Sequence, residues 1–84
     1  MTADAEYKRI RWHSRRGMLE LDLILVPFVE QHFPGLAPQE QQRFIKLLEQ
    51  EDTDLFRWFL RAEQPEDDDL VAIVQLILEA VRGR

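Results

Sequence analysis

The sequence predicts an all-α fold, a compact five-helix bundle that forms a single domain over residues 1–84. Three observations support this prediction. Apolar residues recur at intervals of three and four, which is the periodicity of one-sided helices. No stretch of useful length alternates apolar and polar residues as a strand would. Short breakers with proline, glycine or clustered acids divide the chain into five segments. We expect residues 1–4 to be a flexible N-terminus and residues 83–84 to fray.

The first helix is predicted over residues 5–14, with Tyr7, Ile10 and Trp12 turned inward and basic residues outward. It should end at Gly17 or just before it, because glycine readily adopts the left-handed conformation that commonly closes a helix.

The second helix, residues 18–33, is apolar around most of its circumference. Only a narrow polar stripe through Glu20, Pro27 and Gln31 interrupts it, so we expect this helix to be central and the most buried. Pro27 forfeits one backbone hydrogen bond, which predicts a kink in one helix rather than two separate helices.

The last three helices follow proline or acidic breakers. Pro38 suits the first position of a third helix over residues 39–50. The acids of residues 51–54 and 66–69 favour helix starts through capping and the helix dipole, and Gly83 marks the end of the fifth helix. The predicted inward residues are Phe44, Ile45, Leu47, Leu48, Leu55, Phe56, Trp58, Phe59, Leu60, Leu70, Ile73, Val74, Ile77 and Val81.

Composition argues against an enzyme. The chain has no cysteine, one serine and two histidines, and its three glycines lie too far apart to form a phosphate-binding loop. The acid runs lack the spacing of a calcium loop, so we predict no catalytic residue and no metal site. The longest apolar stretch is far shorter than a membrane span, and no signal peptide is recognisable, which predicts a cytoplasmic protein without membrane insertion.

Charge is unevenly distributed. Residues 8–16 carry five basic residues and no acid, whereas residues 17–84 carry six basic and fourteen acidic residues. A basic segment suggests nucleic acid, but an acidic body repels phosphate. The alternative is a solvated helix face whose arginines pair with acids of the same chain, at about 0 to 1 kcal/mol for each pair.

The stretch RRGMLE, residues 15–20, admits two interpretations. Arginines suit the C-terminal end of a helix, glycine permits a turn, and Glu20 can cap backbone donors of the next helix. Alternatively, the segment is a docking surface for another protein, since arginine and tryptophan often anchor interfaces and glycine admits another backbone. That surface would also include Arg9, Arg11, Trp12 and Arg15.

The segments RIRWHSRRGMLELDLIL, FVEQHF and FIKLLEQEDTDLFRWFL, in this order, cover roughly residues 7 to 80. They resemble the small succinate dehydrogenase assembly factors that promote covalent attachment of FAD, a family marked by an Arg-Gly-x-x-Glu motif. Arg16, Gly17 and Glu20 match the motif. Later matching positions are Leu47, Leu48, Asp52, Asp54, Leu55 and Trp58.

The resemblance implies a five-helix, mostly monomeric protein of the bacterial cytoplasm. Its expected partner is the flavoprotein subunit of succinate dehydrogenase, and often that of fumarate reductase, bound chiefly through Arg16, Gly17 and Glu20. FAD is expected to belong to the partner, with no cofactor held stably by this chain and no nucleic acid bound. Members of the family have also been described as antitoxins, which is the alternative function. Nucleic-acid binding through residues 8–16 is a weaker one.

Overall fold

The computed structural model describes residues 3–83, and side chains from residue 5 onward. Five α-helices and one short 3-10 turn make up this range, and no strand occurs within it. The all-α prediction is therefore confirmed. The elements are α1 (Ala3–His13), α2 (Leu19–Gln31), the 3-10 turn (Phe33–Gly35), α3 (Pro38–Leu48), α4 (Asp52–Phe59) and α5 (Asp68–Arg82).

The helix boundaries differ from the predicted ones by a few residues. Helix α1 begins at Ala3, two residues earlier than expected. The predicted flexibility of the chain ends stays a prediction, since residues 1, 2 and 84 lie outside the described range. Helix α2 runs without interruption through Pro27, as one helix rather than two. The kink at Pro27 also stays a prediction.

Helices α3, α4 and α5 differ in how the unpaired amide groups of their first turns are capped. Pro38 occupies the first position of α3, as predicted, and the Glu40 carboxylate accepts a hydrogen bond from the Ala37 N–H at 3.0 Å. Asp67 caps α5 by accepting from the Asp69 N–H at 2.8 Å. Side-chain capping was wrong for α4, because Glu51 makes no such bond. The acids of that first turn favour the helix through its dipole, and two of them also form ion pairs, Asp52 with Arg16 and Asp54 with Arg57.

Helix α2 is central, as predicted, and it packs against α1, α4 and α5. The Phe44 ring stacks on Phe28 with centroids 5.4 Å apart, and Phe33 from the 3-10 turn lies 5.5 Å from Phe44 on another side. The aromatic rings thus join α2, the turn and α3 in one core. The buried apolar side chains are Ile10, Leu21, Leu25, Phe28, Val29, Phe33, Phe44, Leu47, Leu48, Leu55, Phe59, Leu70, Ile73, Val74 and Ile77.

Several predicted inward residues are in fact exposed. Trp12 is 76% exposed, and on α2 Leu19 is 68% and Leu23 60% exposed. The prediction that only a narrow polar stripe of α2 meets solvent was therefore wrong, because five short helices cover only part of the circumference of a central one. Leu60 is 62% exposed because it lies one residue beyond α4, where Arg61 adopts a positive φ of 62° and turns the chain away.

Ion pairs connect α3 to the start of α5. The Lys46 ammonium donates to Asp67 at 2.6 Å and lies 3.4 Å from Asp69, while Arg43 donates to Asp69 at 3.0 Å. The acidic residues 66–69 therefore do more than favour the helix dipole, since the carboxylates of Asp67 and Asp69 also bind side chains of α3. All four side chains are partly exposed, and solvent screens such pairs.

Candidate functional site

The candidate site is the turn between α1 and α2, residues 14–18, where the basic segment meets the central helix. Ser14 closes α1: its N–H donates to the Ile10 carbonyl at 2.9 Å, and its hydroxyl donates to the Arg11 carbonyl at 2.6 Å. Ser14 is completely buried. Both of its polar groups are satisfied, so its role at this position is structural.

Gly17 has a φ of 84°, in the left-handed region that other residues adopt only with strain. A side chain added at Gly17 would meet no atom within 4 Å. Glycine is therefore required by the backbone conformation and not by close packing. The space beside its Cα is open, so another molecule has access to this backbone.

Asp22, rather than Glu20, supports the turn. Its carboxylate accepts a hydrogen bond from the Arg16 N–H at 2.7 Å, which holds the turn against the first turn of α2. Met18 occupies the N-cap position of α2 and makes no side-chain capping bond. The structural role that we considered for Glu20 therefore belongs to Asp22. From the sequence we considered Glu20 for this role and did not single out Asp22.

The Arg16 guanidinium joins the α1–α2 turn to the junction between α3 and α4. Three donor groups, Nε, Nη1 and Nη2, each form a bond of 2.7 Å. The acceptors are the Asp52 carboxylate at the start of α4, and the Leu48 and Gln50 carbonyls at the end of α3. Only 11% of the side chain is exposed. Arg16 thus satisfies the unpaired carbonyls of one helix end and pairs with the acid of the next helix.

Glu20 and Arg15 face solvent instead. Both residues are exposed, and within the described part of the chain neither side chain forms a hydrogen bond or an ion pair. The turn therefore presents a carboxylate and a guanidinium on either side of Gly17. Charged groups without intramolecular partners are able to form charge-assisted bonds to another molecule.

The remaining candidate residues lie on α1 and divide into two groups. Arg11 pairs with Glu30 of α2 at 3.0 Å, in a contact in which both side chains are about half exposed. Arg9 and Trp12 line a shallow pocket between α1 and α3, together with Arg15 and the aliphatic side chain of Ile45. Among the arginines of residues 8–16, the interpretation as partners of the chain's own acids thus holds for Arg11 and Arg16 only, within the described residues.

No group of three metal-ligating side chains is placed to hold a metal ion within the described range. Helices long and apolar enough to cross a membrane are likewise lacking there. What the turn offers is a surface: an open glycine backbone, two free charges of opposite sign, and a buried arginine that holds the backbone in place. Such an arrangement suits recognition of another protein.

Comparison with known proteins agrees with this interpretation. A family model described as flavinator of succinate dehydrogenase matches residues 8–81. The FAD assembly factor SdhE of Pseudomonas aeruginosa is 55% identical over 82 residues, covering 98% of each chain, and that of Pseudomonas putida is 43% identical over 84 residues, covering both completely. The solution structure of a UPF0350 protein superposes with a TM-score of 0.80 at 40% identity, over 99% of this chain and 88% of the other. This chain therefore belongs to the family of flavinators of succinate dehydrogenase.

Proposed function

We propose that this chain is a FAD assembly factor that binds the flavoprotein subunit of succinate dehydrogenase and promotes the covalent attachment of FAD to it. The family match over residues 8–81 supports the proposal, as do full-length relatives that carry the name FAD assembly factor. The observation that carries it is the motif Arg16-Gly17-x-x-Glu20 on an open turn, where Glu20 is exposed and Gly17 has free space beside it. The flavoprotein subunit of fumarate reductase is a second proposed partner.

The factor acts as a chaperone and not as the catalyst. A protein ligand changes its partner only by binding one conformation more tightly than the others. The turn would bind the conformation of the flavoprotein in which FAD and its attachment residue are held together, and so raise its population. FAD stays with the partner, and the bond-forming chemistry does so as well.

Each residue of the motif has its own part in this proposal. The Glu20 carboxylate accepts hydrogen bonds from the partner, and the Arg15 guanidinium donates hydrogen bonds to the partner. The open side of Gly17 admits the partner's backbone. Arg16 is a positioning residue, because its three donor groups are already used within the chain. We place Arg9 and Trp12 at the rim of this surface, and the paired Arg11 beside them.

We further propose that the protein works as a monomer in the bacterial cytoplasm, where it meets the flavoprotein subunit before the complex is assembled. The relatives from Pseudomonas aeruginosa and Pseudomonas putida are named as FAD assembly factors and give no support to an antitoxin. A nucleic-acid binder is disfavoured by the net charge of -5. Co-purification distinguishes the three candidate functions, because each predicts a different partner. An assembly factor should bring down a flavoprotein, an antitoxin a small toxin, and a nucleic-acid binder DNA or RNA that salt releases.

The proposal is tested by Glu20→Ala in a strain that lacks the native gene. We expect covalent flavin in the dehydrogenase, measured as in-gel fluorescence of the flavoprotein band, to fall at least tenfold. The melting temperature of the variant should stay within a degree or two of the wild type, because Glu20 has no hydrogen bond or ion pair within the described residues.

Glu79→Ala is the matched control, since Glu79 is an exposed helical glutamate on α5, without a side-chain partner among the described residues. Flavin attachment should be normal in this variant. If Glu20→Ala attaches flavin as well as the wild type does, the proposed role of Glu20 is wrong. Normal flavin attachment in the strain without any copy of the gene would contradict the function itself.

A further inference from the structure

Helix α2 presents two large apolar side chains to solvent. Leu19 is 68% and Leu23 60% exposed, although the same helix buries Leu21 and Leu25 completely. Residues four apart lie on one face of a helix, one turn above the other, so these leucines form a continuous apolar ridge. Within the described residues, only two other large apolar side chains are as exposed, Trp12 and Leu60.

The ridge is continuous with the candidate site. Glu20 follows Leu19 directly and lies three residues before Leu23, so its carboxylate stands at the edge of the ridge. Helix α2 begins at Leu19, two residues after the open backbone of Gly17. Apolar ridge, free carboxylate and accessible turn therefore occupy adjoining parts of one surface.

Interfaces between proteins commonly place a few apolar residues at the centre and charged residues at the rim. The polar rim stays accessible to solvent and keeps water from the centre, where a few anchoring side chains supply most of the affinity. The arrangement of Leu19 and Leu23 with Glu20 at their edge matches this pattern.

We propose that Leu19 and Leu23 are the apolar anchor with which the protein docks on the flavoprotein subunit, an inference that rests on the proposed function. The subunit receives them in an apolar depression, beside which one of its basic side chains pairs with Glu20. The charge at the rim sets the orientation, and the leucines provide the affinity.

The test uses the purified flavoprotein subunit of succinate dehydrogenase, loaded with FAD that is not yet covalently attached and titrated with wild-type protein and with the double variant Leu19→Gln/Leu23→Gln. We expect the double variant to bind at least tenfold more weakly, and each single substitution to weaken binding about threefold. Circular dichroism should show an unchanged fold, because both side chains are already in water.

Leu60→Gln is the matched control, because Leu60 is 62% exposed and lies after α4, outside the proposed surface. Its affinity should equal that of the wild type. Equal affinity of the double variant and the wild type would overturn the anchor while leaving the proposed function intact. No binding by the wild type would overturn both. Sedimentation of the free protein gives a further check: if the wild type self-associates and the double variant does not, the ridge serves a second copy and the inference is wrong.

Discussion

The described backbone enters the left-handed region at two turns that follow a helix, and the two turns use different residues. At the α1–α2 turn the residue is Gly17, with a φ of 84°, and at the end of α4 it is Arg61, with a φ of 62°. Glycine takes this conformation without strain, whereas a residue with a Cβ is disfavoured by about 1 kcal/mol or more. The candidate site lies at the unstrained turn.

The surroundings differ as well. After α4 the chain reverses through local bonds alone: the Arg61 N–H donates to the Trp58 carbonyl at 3.1 Å and the Ala62 N–H to the Arg57 carbonyl at 3.0 Å. This is the common motif that ends a helix, with arginine where glycine is usual. The α1–α2 turn combines a local bond, from the Arg16 N–H to Asp22, with bonds of the Arg16 guanidinium to atoms that are 32 to 36 residues distant in sequence. The α1–α2 turn thus depends in part on the junction between α3 and α4, whereas the turn after α4 is closed by local bonds.

Arg16→Ala should have the largest effect and tests this difference most directly. Its removal leaves two helix-end carbonyls and a carboxylate without their donor, which we expect to lower the free energy of unfolding by about 3 kcal/mol. Arg16→Lys should recover part of the loss, because an ammonium group cannot reach all three acceptors as a planar guanidinium does. Chemical denaturation measures both. A loss below about 0.5 kcal/mol for Arg16→Ala would contradict the anchoring role.

Gly17→Ala should have the next largest effect and lower the free energy of unfolding by about 1 to 2 kcal/mol. A residue with a Cβ is strained at a φ of 84° even where space is free. Gly17→Asn should cost less, since asparagine tolerates the left-handed conformation. Thermal melts of the two variants separate backbone strain from steric contact. Equal losses for alanine and asparagine would argue against backbone strain as the cause.

Arg61→Gly should act in the opposite direction. Glycine at this helix end relieves the strain of the φ of 62°, and we expect a gain of up to about 1 kcal/mol. Arg61 makes no hydrogen bond through its side chain within the described residues, so no such bond is lost to offset the gain. The melting temperature is the measurement. A destabilised Arg61→Gly variant would show that the arginine side chain stabilises the fold.

The smallest effect on stability is expected when the ion pairs at the start of α5 are lost, either at low pH or in the variant Asp67→Asn. Hydrogen bonds from Lys46 and Arg43 hold the pKa of the Asp67 and Asp69 carboxyls below the ordinary value of 3.8. A carboxyl with a lowered pKa contributes stability that is present above its unfolded pKa and lost as the pH falls through its folded value. Asp67→Asn should therefore melt slightly below the wild type near pH 6 and equal to it near pH 2. A difference that persists in acid would contradict the ion pair as its source.

The fold was predictable because its signals are local. Pro38 at the first position of α3, Asp67 in the acidic run that opens α5 and Gly83 at its end each lie where the sequence indicated. The periodicity of α5 identified its buried face correctly, since that helix is apolar on one side only. Helix α2 is apolar around most of its circumference, and periodicity does not say which side the other helices leave uncovered. The helix was therefore expected to be buried on all sides but one narrow stripe, whereas Leu19 and Leu23 are exposed.

The candidate site was predictable only in part. The motif located the turn, and Gly17 and Glu20 are accessible there. The sequence did not reveal that Arg16 binds within the chain, because two of its acceptors are backbone carbonyls, which every residue possesses. Which carbonyls stay unpaired depends on where α3 ends, and whether Arg16 reaches them depends on how the α1–α2 turn lies against that end; both are properties of the folded chain.

The acceptors of the Arg16 guanidinium lie far along the chain, so these bonds form late during synthesis. The Arg16 guanidinium finds its three acceptors only after the chain has been made through Asp52 and the α3–α4 junction has folded against the turn. An incomplete chain therefore has only the local bond to Asp22 to support this turn. The proposed docking surface would accordingly reach its final geometry only in a molecule that has completed its fold.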